Sequence, residues 1–253
     1  FPRPLIHNLL LDPMQRRMYL AHLRTIITEN IVDQSYRNRA LELRAIIDPY
    51  VQADTNKFYT YQSFLDNLDQ TVSFTVAYPG LSELMDARAT YLSTYEGFTG
   101  QPGIGEPAHG PESITVGGTL TITANITNAD TAFLAYRAGD EGLFERTALF
   151  DDGQHRDGSA GDGVFGVDIT AASNVIEFYI YAENDLAGNF SPEGAAYKTH
   201  RIETRLSAGD LVINEFMAAN SGIVLDEDGL ASDWIELYHA SGHTISTAGL
   251  HLS

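Results

Sequence analysis

Residues 119–127 read TLTITANIT. Leu120, Ile122, Ala124 and Ile126 alternate with Thr121, Thr123, Asn125 and Thr127. A period of two puts one apolar and one polar face on a strand. Working outward, strand-like runs fall at 113–116, 132–138, 143–150, 163–170, 174–183 and 195–204. About seven short strands in roughly ninety residues predict an immunoglobulin-like β-sandwich over 112–206. Upstream, residues 97–111 (GFTGQPGIGEPAHGP) hold five glycines and three prolines. That composition predicts a semi-rigid linker.

Before the linker the period changes to that of a helix. Asp12-Pro13-Met14-Gln15 reads as an N-cap, a proline at the first helical position and a capping partner three residues on. Met14, Met18, Leu23, Ile26 and Ile27 then form one apolar face, with Arg16, Arg17 and Arg24 free to point to water. Ser35 can cap a second helix with the stripe Tyr36, Ala40, Leu43 and Ile47, interrupted at Asp48-Pro49. A third helix is predicted through Phe64, Leu65, Leu68 and Val72. A last one follows Tyr78-Pro79-Gly80, with Leu81, Leu84, Met85, Arg88, Leu92 and Tyr95. These stripes read as core.

Composition narrows the function. The 253 residues include 34 acidic and 15 basic side chains, for a net charge of −19. Residues 1–100 carry 11 acids and 9 bases, whereas residues 101–253 carry 23 and 6. Such a field repels nucleic acid and anionic lipid and suits a solvated surface or cation binding. The absence of cysteine rules out disulfides, thiolate metal sites and a cysteine nucleophile. No apolar run is long enough to span a bilayer. Beginning at Phe1 with no signal segment, the chain reads as a mature or excised piece of a longer protein. There is no phosphate-binding G-x-x-x-x-G-K-[ST] loop, and Gly103-Ile104-Gly105 lies in the linker rather than after a strand.

Residues 3–31 (RPLIHNLLLDPMQRRMYLAHLRTIITENI) and 78–92 (YPGLSELMDARATYL) resemble the C-terminal helical part of the spore-coat CotH kinase-like family. The resemblance covers roughly residues 1–96. It implies relation to atypical protein kinases whose nucleotide- and metal-binding acids lie upstream of this segment. ATP and magnesium then belong to the complete parent protein, and no catalytic residue is carried over. Arg16, Arg17 and Arg24 read as a solvated helix face rather than a phosphate clamp.

The densest chemical signal is FDDGQHRDGSAGDGVFG, residues 150–166, with Asp-Gly at a five-residue step. Asp151, Asp152, Asp157 and Asp162 can supply oxygen ligands to calcium, a hard cation. Equally, aspartate on glycine turns bonds its own backbone. The spacing does not fit an EF-hand. The string also resembles those of bacterial immunoglobulin-like surface modules, which supports the fold and leaves the metal open.

Residues 209–253 open another unit. Leu211–Asn220, Asp226–Gly229 and Asp233–Tyr238 resemble the start of a lamin-tail domain, itself a β-sandwich, with strands at 211–216, 233–238 and 248–252. Trp234 reads as core or as an exposed platform for sugar. Glu215 with Glu236, or Asp226 with Asp228, can be imagined as a carboxylate pair for glycoside hydrolysis. His239 and His243, with His251, offer a histidine zinc site.

The expected fold is therefore multidomain α plus all-β. A helical subdomain (1–96) and the linker (97–111) precede an immunoglobulin-like sandwich (112–206) and a partial lamin-tail-like sandwich (209–253). The expected role is a non-catalytic portion of a secreted bacterial CotH-like protein. It would work outside the cell or at its surface, contacting other surface proteins or glycans. The alternatives are a protein kinase with its catalytic half upstream, and an adhesive or carbohydrate-binding module.

Overall fold

The structure is a computed structural model that describes residues 3–247 and 250. It is a mixture of helices and antiparallel sheets in two compact units: Phe1–Gly103 with Asn128–Asp130 and Ala182–Gly194, and Ile104–Thr127 with Thr131–Tyr181 and Ala195–Ser253.

In the first unit α1 (Pro4–Leu11) and α2 (Pro13–Ile26) run into a π-helical turn at Ile27–Val32. The Asp12 carboxylate accepts the Gln15 amide at 2.9 Å and Pro13 starts α2, as the sequence predicts. Met18 and Ile27 of the predicted face are buried, but so are Leu20 and Ala21, and Ile26 is exposed. The arginines depart from the expected solvated face. Arg17 makes a two-pronged ion pair with Glu183 at 2.9 and 2.8 Å. Arg24 donates to the carbonyls of Phe98, Gly188 and Gly97. Two of the three guanidiniums thus satisfy groups from distant segments that local periodicity cannot reveal.

α3 (Ser35–Ala53) differs from its sequence reading at both ends. Gln34, in the left-handed region, is its N-cap, and the Ser35 hydroxyl turns back to the Glu29 carbonyl at 3.1 Å. The helix does not stop at Asp48-Pro49 but carries Pro49 inside it, forfeiting one backbone hydrogen bond. The Tyr61 hydroxyl donates to Asp48 at 2.8 Å and ties this turn to α4 (Tyr61–Asp66). α4 ends well before Val72, because the Asn67 amide donates to the carbonyls of Gln70, Tyr78 and Pro79 and folds the chain into a loop. The short strands β1 (Val72–Ser73) and β2 (Ala77–Tyr78) pair antiparallel. α5 (Leu81–Ser93) follows. Gly80 at its N-cap is required by contact, since a Cβ there would fall 2.4 Å from the Gln70 nitrogen.

The second unit is built on strands. β3 (Gly103–Ile104) and β4 (Ala108–Gly110) arise within the Gly/Pro-rich stretch, and β4 pairs with β5 (Thr119–Thr127). β6 (Thr131–Ala138), β7 (Glu145–Ala148), β8 (Val164–Thr170) and β9 (Val175–Glu183) follow. β9 runs into the first unit, where a turn closed by the Asn184 amide on the Ala187 carbonyl leads to β10 (Gly188–Ser191). β11 (His200–Glu203) comes after a single 3-10 turn at Ala195–Tyr197, so the strand predicted from 195 starts later. The strand predicted at 113–116 reduces to one bridge between Thr115 and Arg205. β5 pairs with β8 over seven residues, β6 with β7, and β9 with β11. Leu120, Ile122, Ala124 and Ile126 of β5 are all buried, with Leu134, Val167, Ile169, Ile176, Phe178 and Ile180.

β12 (Leu211–Met217) and β13 (Trp234–His239) form a separate antiparallel hairpin, with a bulge between Ile213 and Glu215. The segment after it is fastened to β9's start. Asn174 donates to the Ser246 carbonyl at 2.8 Å and accepts its amide at 2.7 Å, beside a bridge between Ser173 and Thr244. The strand predicted at 248–252 falls outside the described residues, apart from Leu250.

Leu120→Ala removes a fully buried side chain, and denaturant unfolding is expected to show a loss of about 3 kcal/mol. Arg17→Ala removes the two-pronged ion pair to Glu183, whose side chain is 9% exposed, at an expected cost of about 2 kcal/mol. The Arg17→Ala/Glu183→Ala double variant should cost less than the sum of the singles, measured as a double-mutant cycle.

Candidate functional site

Residues 151–163 are a loop written by glycine. Gly153, Gly158, Gly161 and Gly163 all take positive φ, and a Cβ on Gly158 would fall 2.4 Å from an Asp162 carboxylate oxygen. Such turns leave several amide N–H groups pointing inward without strand or helix partners. The four predicted site residues answer them. Asp157, with no solvent exposure, accepts the amides of Asp152, Gly153 and His155 at 2.9, 3.0 and 3.1 Å. Asp151 accepts those of Gly161, Asp162 and Gly163. Asp162 accepts those of Ser159 and Val164. Asp152 takes the Gln154 amide and the His155 ring, which is stacked on Phe150. Burial alone would raise the Asp157 pKa; the backbone N–H groups around it outweigh that and hold it below the ordinary carboxylate value. Among the described residues no group of three or more acidic or histidine side chains converges as metal ligands do.

The other candidates are scattered. Asp226 accepts the Ser232 hydroxyl at 2.6 Å and the amides of Leu230 and Asp228. Those bonds, the hydroxyl's first, lower its pKa. Asp226 and Asp228 thus share one tight turn. Glu215 and Glu236 stand directly opposite each other across β12 and β13, both exposed. The His239 ring and the His243 amide both engage the Ser241 hydroxyl, at 2.7 and 3.2 Å; His251 falls outside the described residues. Trp234 is half-buried, with an enclosed indole N–H that has no partner among the described residues. Arg16 is exposed and reaches the Tyr95 hydroxyl at 3.3 Å.

What sequence reasoning missed is an open apolar groove in the helical unit. Ala40, Leu43 and Ile47 of α3, Phe64 of α4, Tyr78 of β2 and Leu81 of α5 line a cavity of about 550 Å³. The α3 stripe that reads as core is one of its walls. Leu43 and Ile47 are 46% and 47% exposed, and on the same helix Tyr50 is 76% exposed. Among the described residues, α2 is the one α-helix that carries buried side chains. The periodicity marks the apolar face correctly but does not say what covers it. The groove is braced at Asp69, whose carboxylate takes the Arg37 guanidinium at 3.0 and 2.8 Å and the Ser82 hydroxyl at 2.7 Å. Those bonds, Arg37's first, pull its pKa down to about 2.

No described helix is long and apolar enough to cross a membrane. No protein-family model matches the chain, and no curated protein sequence is detectably similar to it.

A carboxylate with a lowered folded pKa stabilises above its unfolded pKa and loses that contribution as pH falls through the folded value. Thermal melting between about pH 5 and 2 should therefore fall more steeply for the native chain than for Asp157→Asn, which should melt several degrees lower at neutral pH. Because the loop amides already have acceptors, melting in calcium and in chelator should coincide. A stabilisation of about 2.7 kcal/mol at a hundredfold excess over Kd would instead reveal a bound cation.

Proposed function

We propose that this chain is a non-catalytic scaffold. Its helical unit supplies one face of a larger kinase-like domain of the CotH type. Its strands form an immunoglobulin-like sandwich and the opening of a lamin-tail-like sandwich, which serve as interaction modules outside the cell. The observation that carries the reading is α3, a 19-residue helix without a single buried residue. A helix in water owes most of its stability to packing of its apolar face. Leu43, Ile46, Ile47 and Tyr50 offer such a face, and neighbouring elements make it concave. A partner domain that covers this groove accounts for both facts.

The chemistry fits a supporting role. The arginines closest in sequence to a phosphate clamp, Arg17 and Arg24, are engaged by a carboxylate and by backbone carbonyls. The four aspartates of the acidic loop hold backbone amides. The competing reading is a protein kinase that binds ATP and magnesium through residues of an upstream half.

Incubation of the chain with labelled ATP and a generic protein acceptor should give no transfer; robust transfer would overturn the scaffold reading. Leu43→Lys/Ile47→Lys should leave unfolding of the chain within about 1 kcal/mol, as substitutions on an uncovered surface do. The same variant should lower the binding of a hydrophobic dye, measured by fluorescence.

A further inference from the structure

The two faces of the β12–β13 hairpin differ in charge. Cross-strand partners share a face, so the register places Leu211, Ile213, Phe216, Ile235 and Leu237 with His239 on one side, and Glu215 and Glu236 with Val212, Met217, Trp234 and Tyr238 on the other. The apolar side is open: Phe216 is 71% exposed and Ile213 51%. It lines two depressions of about 660 and 420 Å³ that share Ile213 and Ile235. Exposed apolar surface on this scale marks an interaction site.

Three observations select the occupant. Among the described residues the hairpin has only two strands, and two strands alone are marginal in water. The bulge between Ile213 and Glu215 blunts the outer edge of β12, which leaves β13 as the regular edge for strand addition. The third is charge. Residues 206–253 contain seven acids and no lysine or arginine. Glu215 faces Glu236 directly, a pairing that disfavours the sheet. A second copy of this surface would double the repulsion, whereas a cationic partner removes it.

We propose that the edge of β13 that pairs with no described strand receives an extended segment alternating apolar and basic residues. On such a strand the apolar side chains extend the layer of Ile235 and Leu237. The lysines or arginines, on the opposite side, come alongside Glu236, with Glu215 one strand further in. Main-chain hydrogen bonds supply affinity and the two faces supply specificity, as in β-strand addition generally. The inference rests on the reading of the β unit as an interaction module and names its partner.

Trp234, the only tryptophan, lies on β13 and reports on binding by its fluorescence. The probes are capped octapeptides alternating valine with lysine and valine with glutamate, titrated into the full chain. The lysine peptide should give a saturable change, weakened about tenfold at high salt as exposed charge pairs are screened; the glutamate peptide should give none. Glu236→Lys should invert that preference. Failure of the lysine peptide to bind folded protein, or equal binding of both peptides, would overturn the proposal. So would sedimentation of the free chain as a dimer through this surface, lost in Phe216→Glu. Any of these outcomes would refute the partner's chemistry alone, whereas phosphate transfer by the chain would refute the scaffold reading itself.

Discussion

Strand β5 is held from both sides, by β4 along one edge and β8 along the other, and its inner face is closed to solvent. A shift of one residue in its register would expose Leu120, Ile122, Ala124 and Ile126 together and turn Thr119, Thr123 and Thr127 inward. Much of the β unit follows from keeping that register. The tie from Asn174 to Ser246 fixes the segment after the β12–β13 hairpin to the same unit. The acidic loop delivers the chain into β8, where Gly166 passes so close to the loop that a Cβ would meet the His155 carbonyl at 2.7 Å.

That loop shows how a motif of charged residues can serve structure. Four carboxylates within twelve residues repel one another unless something positive separates them. Here the positive ends are amide N–H groups turned inward by glycines in left-handed geometry. The pattern of aspartate before glycine is what such turns need, since the carboxylate accepts from the backbone beside it. Asp157 combines complete burial with three neighbouring amides, which makes it the centre of the loop.

The helical unit and the hairpin share the opposite property. Both present apolar faces that the described residues cover only in part. In the helical unit, covered surface is concentrated where α2 meets β10, with His22 stacked on Phe190 at 4.6 Å and Arg17 paired with Glu183. α3 and α5 instead border the groove. The proposed role in association rests on this contrast, because open apolar surfaces are those that bind partners.

Several features were legible from residues alone. The Asp12 cap, the alternation in β5, the positions of the longer strands and the strands near 211–216 and 233–238 all rest on local rules of period and turn chemistry. What local rules could not supply was the partner of each group. Arg17 and Arg24 look like any exposed helix arginine until Glu183 and the Gly188 carbonyl arrive from more than 160 positions away. The passage of α3 through Pro49 and the early end of α4 depend on Tyr61 and Asn67 finding acceptors elsewhere in the fold. The apolar stripe of α3 likewise fixed which face avoids water, and only the tertiary structure decided that this face lines a groove. Hydrophobic periodicity encodes a preference for burial; whether it is satisfied depends on which distant segments come to rest against it.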